Sequence, residues 1–201
     1  MAHQVPVGRA TLLWAALLLV PRLGAAGTYH GQVVDTATGE PLSDAVAVVE
    51  WVKRPIAYMD GEASFHDVKE TVTDAQGYFA ISCWRRVDWN PLTFVIAPRI
   101  IVYKPGYEPL APAFTTRRGF SGFDDMRSQL RRGTVVRLSR LTPEQAERFA
   151  KVPGMITDVD QLGLASETPY ERISELVRLI NLERRRLGFG PIGDVEGGQQ
   201  R

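Results

Sequence analysis

Three histidines and one cysteine are the residues of this chain best suited to metal binding or nucleophilic chemistry. His66 is followed by Glu70 in the segment HDVKE, a metal-ligand pair by residue type. In an extended strand, residues i and i+4 lie about 13 Å apart, too far to share one ion. A zinc site would have to gather His30, His66 and a further carboxylate from separate segments. Nothing in the spacing marks such a set, and a surface or hydrogen-bonded role is the plainer reading of both histidines. Cys83 keeps step with Phe79 and Ile81, so one strand face holds all three and a buried structural thiol is expected. Ser121, in GFSGF, does not stand in a G-x-S-x-G elbow. No G-x-G-x-x-G run and no phosphate loop occurs. A Ser-His-Asp triad assembles in space and leaves no spacing to read. The expectation is a chain with no catalytic, cofactor-binding or metal-binding residue, and no enzyme.

Binding chemistry is better represented. Trp84 and Trp89 flank Arg85 and Arg86 in CWRRVDWNP. Tyr58 and Phe65 lie in one irregular segment, and Phe120 and Phe123 lie in another beside Arg117 and Arg118. Aromatic residues with arginine are the composition of binding surfaces, and their rings can also stack on sugars. These eight residues, Tyr58, Phe65, Trp84, Arg85, Arg86, Trp89, Phe120 and Phe123, form the candidate ligand-binding set. The competing role for Trp84 and Trp89 is to fold back over a sheet edge.

The elements that must carry these residues are mostly short strands. YHGQVVD, AVAVVEWV, ETVTD, YFAISCW, LTFVIA, RIIVYK and GTVVRLSRL read as strands, separated by turn signals such as TGEPL, DAQG and PGYEP. Residues 55–68 break the pattern and read as a loop or loose hairpin. Seven such strands predict a mainly β fold, an antiparallel sandwich. The period then changes. Thr142, Pro143 and Gln145 read as a capping box with proline at the first helical position, and Thr168, Pro169 and Glu171 repeat the device. Ile173, Leu176, Val177 and Ile180 form one apolar stripe, and Gly188 ends the helix. That stripe needs cover, from its own sandwich or from a partner's groove. The last residues, 189–201, are expected to be disordered.

Residues 1–26 differ in character. Arg9 precedes ATLLWAALLLV, too short to span a bilayer, and PRLGAAG follows with small residues suited to a signal peptidase. The predicted organisation is a signal peptide at 1–26, a sandwich domain at 27–141, a helical extension at 142–188 and a tail at 189–201. Cleavage leaves 22 basic and 23 acidic side chains, which does not suit a nucleic-acid binder, and no stable membrane span. One thiol allows no internal disulfide, so an exported chain must rest on its core. Charge is uneven: residues 27–115 carry net −4 and residues 116–201 net +3, so the tail has an electrostatic reason to dock on the sandwich. Arg184, Arg185 and Arg186 complement a helix dipole, or else meet an anionic partner.

GQVVDTATGEPLSDAVAVV, TVTDAQGYFAI, KPGYEP and the closing VVRL strand, in that order, resemble the carboxypeptidase regulatory-like domain. The resemblance covers residues 27–141, with insertions at 55–68 and 115–132. It implies a transthyretin-like (prealbumin-like) sandwich of seven strands with the α-helical extension outside it. It further implies a non-catalytic module of exported proteins that serves stability, interaction or ligand presentation. The zinc carboxypeptidase pattern of H-x-x-E with a distant histidine is not matched by HDVKE. The expected role is therefore a periplasmic or secreted module that mediates protein interaction or structural support in the cell envelope, without cofactors. Its expected partner is an envelope protein or a polysaccharide. The alternatives are a carbohydrate-binding module using the loop aromatics, and a small hydrolase or metal-binding protein around His66.

Overall fold

The computed structural model describes residues 27–57, 63–83, 90, 92–96, 98–111, 123–146 and 162–192. The chain is mainly β, with two sheets and a short C-terminal helix. Strands β1 (Gly27–Asp35), β4 (Tyr78–Cys83) and β7 (Thr134–Leu138) form a three-stranded sheet in the order β4-β1-β7. A four-stranded sheet is built around β2 (Val46–Pro55), with β3 (Ser64–Val72) on one side. On the other side β6 (Arg99–Tyr103) pairs with Val46–Glu50, and β5 (Thr93–Val95) with Lys53–Pro55.

The sheet assignment corrects one expectation and decides between two readings of another segment. The sheets are not wholly antiparallel, because β7 runs parallel to β1, with Gly31 opposite Thr134 and Asp35 opposite Leu138. A parallel neighbour needs a crossover between the strands, and helix α1 (Phe123–Arg132) immediately precedes β7. Of the two readings of residues 55–68, loop or loose hairpin, the second is the nearer, since β3 begins at Ser64 and pairs antiparallel with β2. Its register against β2 shifts between Trp51 and Val52, where Asp67 and Phe65 are the partners, so His66 is the extra residue of a bulge. Polar residues and a bulge together hide the period of two.

The opening of β4 follows from TDAQG. Asp74 Oδ1 accepts from the Gln76 and Tyr78 amides at 2.9 and 2.8 Å. Gly77 has φ +76°, and a Cβ there would stand 2.5 Å from the Val33 carbonyl oxygen, so both the turn and the close approach require glycine.

The two sheets share one core. Tyr29, Val33, Phe79, Ile81, Val136 and Leu138 from the first sheet pack against Ala47, Val49, Ile100 and Val102 from the second, with Met126 and Leu130 of α1 added to them. Alternation along β2 and β6 sends Val46, Val48, Ile101 and Tyr103 to the opposite face of the four-stranded sheet. That face is covered by Leu162, Leu164 and the C-terminal helix α2 (Ser174–Arg186), which presents Leu176, Leu179 and Ile180 behind Ile173. Both faces of this sheet are therefore buried, which is why AVAVVEWV reads as an unbroken apolar run. The apolar stripe of the extension rests on its own sheet. The other sheet buries one face only, and Tyr78, Ala80, Ser82, Val135 and Arg137 are exposed on it or at its edges.

The two predicted helix starts differ. Thr142 and Gln145 form the capping box, each amide bonded to the other's side chain, at 2.9 and 3.2 Å. Thr168 does not cap. Its hydroxyl donates to Glu50, the chain passes through a 3-10 turn at Tyr170–Ile173, and the cap comes from β3 instead. Glu70 accepts from the Glu175 and Leu176 amides at 3.0 and 3.1 Å, placing a carboxylate on the positive end of α2. At the far end Gly188 has φ +84° and Phe189 N–H donates to the Arg184 carbonyl at 2.8 Å, a Schellman closure. The chain beyond Gly188 is held as far as Ile192, whose amide donates to Asn181 Oδ1 at 2.7 Å.

Candidate functional site

Three arrangements of polar groups stand out, and two of them hold the fold together. The first closes the end of β1. Asp35, 3% exposed, accepts from the Ala37 and Thr38 amides through Oδ1, and from Tyr107 Oη (3.0 Å) and Arg140 Nε (3.1 Å) through Oδ2. The Arg140 guanidinium lies 5.4 Å from the Tyr107 ring centroid. Two motifs far apart in the chain, VVDTATG and PGY, therefore meet on one carboxylate. The Ala37 amide first, then the Arg140 bond, hold the Asp35 carboxyl below its ordinary value, at about 2. A group depressed in the folded state contributes stability above its unfolded pKa and loses it as the pH falls through the folded one. Thermal melts should thus show Asp35-dependent stability declining from about pH 4 towards 2. Asp35→Asn should remove that part of the slope, and an unchanged slope in the variant would refute the assignment.

The second arrangement binds the extension. Glu50, fully buried in β2, accepts from the Ala165 amide (3.0 Å) and the Thr168 hydroxyl, with Arg99 Nη1 3.5 Å away. Arg99 also donates to the Gly163 carbonyl at 2.9 Å. Burial raises the Glu50 carboxyl above its ordinary value, opposed by Thr168, the Ala165 amide and Arg99.

The third arrangement is open to solvent. A cavity of about 390 Å³ lies between β3 and β4, the neighbouring edges of the two sheets. Val68, Lys69, Glu70 and Thr71 line it from β3, and Ala80, Ile81 and Ser82 from β4, with Arg172 of the extension completing the lining. Lys69 Nζ donates across it to the Ser82 carbonyl at 2.8 Å. Arg172 bonds Asp67 and the Val68 carbonyl, and Glu70 is taken by the start of α2. A cavity of this size suits a small ligand or a short stretch of extended chain.

The sequence-predicted binding residues fall mostly elsewhere. Tyr58, Trp84, Arg85, Arg86, Trp89 and Phe120 lie outside the described residues, and Phe123 opens α1. Phe65 is half-buried against the cluster beneath α2, with the Arg172 guanidinium 6.0 Å from its ring centroid. His66 Nε2 and His30 Nδ1 are buried without hydrogen-bond partners among the described residues. No three of His, Cys, Asp and Glu gather into a metal site among those residues. Lys69, Ser82 and Arg172 were missed because main-chain edges leave no mark in composition. Glu50 had a legible signal, an acid inside an apolar run.

Among the described residues no helix is long and apolar enough to cross a membrane. No family model and no curated protein matches the chain. Among solved structures, the 3-chlorocatechol 1,2-dioxygenase of Rhodococcus opacus 1CP matches part of this chain, at 16% identity and a TM-score of 0.32. The match spans 58% of this chain and 61% of the dioxygenase. The neighbour is itself an enzyme, so the expectation that this chain is no enzyme is withdrawn rather than replaced by its opposite. A likeness of this degree carries no argument for a dioxygenase activity in this chain either.

Proposed function

We propose that this chain is an exported interaction module of the cell envelope, which presents the groove between β3 and β4 to a partner protein. Its two sheets are read as a seven-stranded transthyretin-like sandwich of the carboxypeptidase regulatory-like kind. The meeting of VVDTATG and PGY at Asp35 supports that reading, because motifs quoted from distant segments serve one local structure. Residues 1–26, read as a signal peptide, support export to the periplasm or the medium. The observation that carries the interaction reading is the open groove. It is formed by two sheet edges, and β4 offers it main-chain groups rather than a covering element. Polar edge groups of this kind are recognition surfaces for polypeptide. The extension borders the groove through Arg172 on the β3 side, while the apolar stripe of α2 lies over the far face of the four-stranded sheet.

In-cell crosslinking of the tagged, full-length protein with an amine-reactive reagent tests the proposal, with the products read by mass spectrometry. The expected result is one dominant envelope protein joined through Lys69 on the groove wall. Crosslinks confined within the chain would overturn it.

A further inference from the structure

We propose that the outer edge of β4 is a strand-addition site for an extended partner segment that carries a carboxylate, and that Lys69 reads this carboxylate. The proposal rests on the interaction reading above and names its site and chemistry.

The direction of the β4 main chain follows from its register. Val33 N–H donates to the Gly77 carbonyl at 2.8 Å, and Phe79 and Ile81 stand opposite Gly31 and Tyr29 of β1. In an antiparallel pair the bonded positions alternate, so Tyr78, Ala80 and Ser82 turn their N–H and C=O groups away from β1. Tyr78 is satisfied by Asp74 in both directions, at 2.8 and 3.0 Å. The Ser82 carbonyl accepts from Lys69. The Ala80 N–H and C=O and the Ser82 N–H enter no ladder among the described residues, and both residues line the cavity. Ala80 and Ser82 are small and exposed, and β4 carries no proline and no bulge, so the guard on this edge among the described residues is Lys69. The β3 edge differs: Arg172 occupies the Val68 carbonyl, and Glu70 is bound by α2.

Charge selects the occupant. Asp67 answers Arg172, and main-chain amides answer Glu70. Among the described residues Lys69 meets only a neutral carbonyl. A lysine placed on an edge guards it against indiscriminate pairing. The ammonium's bond to the carbonyl is already charge-assisted, and a carboxylate adds the attraction of a full opposite charge. An acidic side chain on an incoming strand therefore draws Lys69 Nζ off Ser82 and frees that carbonyl for the ladder. Neutral segments leave the lysine in place, and basic ones are repelled by it.

The probes are short synthetic peptides of alternating threonine and valine with a central Glu, Ala or Lys, labelled and titrated by anisotropy against the protein. The Glu peptide should bind about fivefold more tightly than the Lys peptide. Lys69→Glu should invert that order, which a merely structural lysine would not do. Ala80→Pro removes an edge N–H and should abolish binding of all three peptides. Should that variant fail to fold, Lys69→Glu decides alone, because it changes a partly exposed side chain. No binding of any peptide, or a charge order that survives Lys69→Glu, would overturn the site. If cells still yield a crosslinked partner that Lys69→Glu leaves unchanged, the interaction reading stands and this site falls. If no partner is captured at all, the interaction reading falls with it.

Discussion

Replacing Leu176 by alanine should lower the unfolding free energy by about 3 kcal/mol, read as a shift of the urea midpoint. Leu176 is fully buried in α2 and shares a cluster with Val46, Val48, Val68, Ile101 and Tyr103 of the four-stranded sheet. Truncation removes its transfer free energy and leaves a cavity, because the sheet beneath cannot follow the lost side chain. Leu182, on the same helix but 47% exposed, supplies the contrast, and Leu182→Ala should change stability by no more than about 0.5 kcal/mol. A similar small effect at Leu176 would mean that the helix does not rest on the sheet in solution. The experiment also reports on autonomy. If α2 detaches before the sheets unfold, the Leu176 variant will show two transitions where the parent shows one.

The sequence was most legible where local chemistry and tertiary environment agree. AVAVVEWV is a strand by composition, and its unbroken apolar run follows from burial on both faces. Gly188 ends α2 as its position implies, because a Schellman closure needs only a residue at positive φ. Asp74 and Gly77 make their turn for equally local reasons. Legibility failed where a distant residue decides. Thr168 has the look of an N-cap, yet Glu50, remote in sequence, takes its hydroxyl, and Glu70 caps the helix from β3. The bulge at His66 disguised the first half of β3, and α1 was hidden in a segment whose apolar contacts, Met126 and Leu130, are sparse among charges. The parallel pairing of β7 with β1 is a property of chain path rather than of residue type. The groove is legible only in space, because its floor is the main chain of Ala80 and Ser82 and its specificity rests on one lysine whose partner is a carbonyl.

Glu50→Ala should cost about 3 kcal/mol and Glu50→Gln less than about 1 kcal/mol. Alanine leaves the Ala165 amide and the Thr168 hydroxyl buried without an acceptor, and strips Arg99 of its carboxylate. Glutamine keeps an oxygen for the Ala165 amide and an NH₂ group that donates to the Thr168 oxygen, so the clasp between β2 and the extension survives in neutral form. The two variants also separate polar anchoring from charge. Burial raises the Glu50 carboxyl, so the folded chain holds this proton more tightly than the unfolded chain does. Its linkage is therefore opposite in sign to that of Asp35. Stability is lost as the pH rises through the ordinary carboxyl range towards the folded value of Glu50, and recovered on acidification through the same window. Glu50→Gln should abolish that contribution while keeping the fold, and subtracting its pH–stability curve from the parent's isolates the buried carboxyl. If the two curves run parallel across the acid range, Glu50 is not desolvated. If Glu50→Gln costs as much as Glu50→Ala, the ionised form with Arg99 is what secures the extension, and the neutral clasp does not.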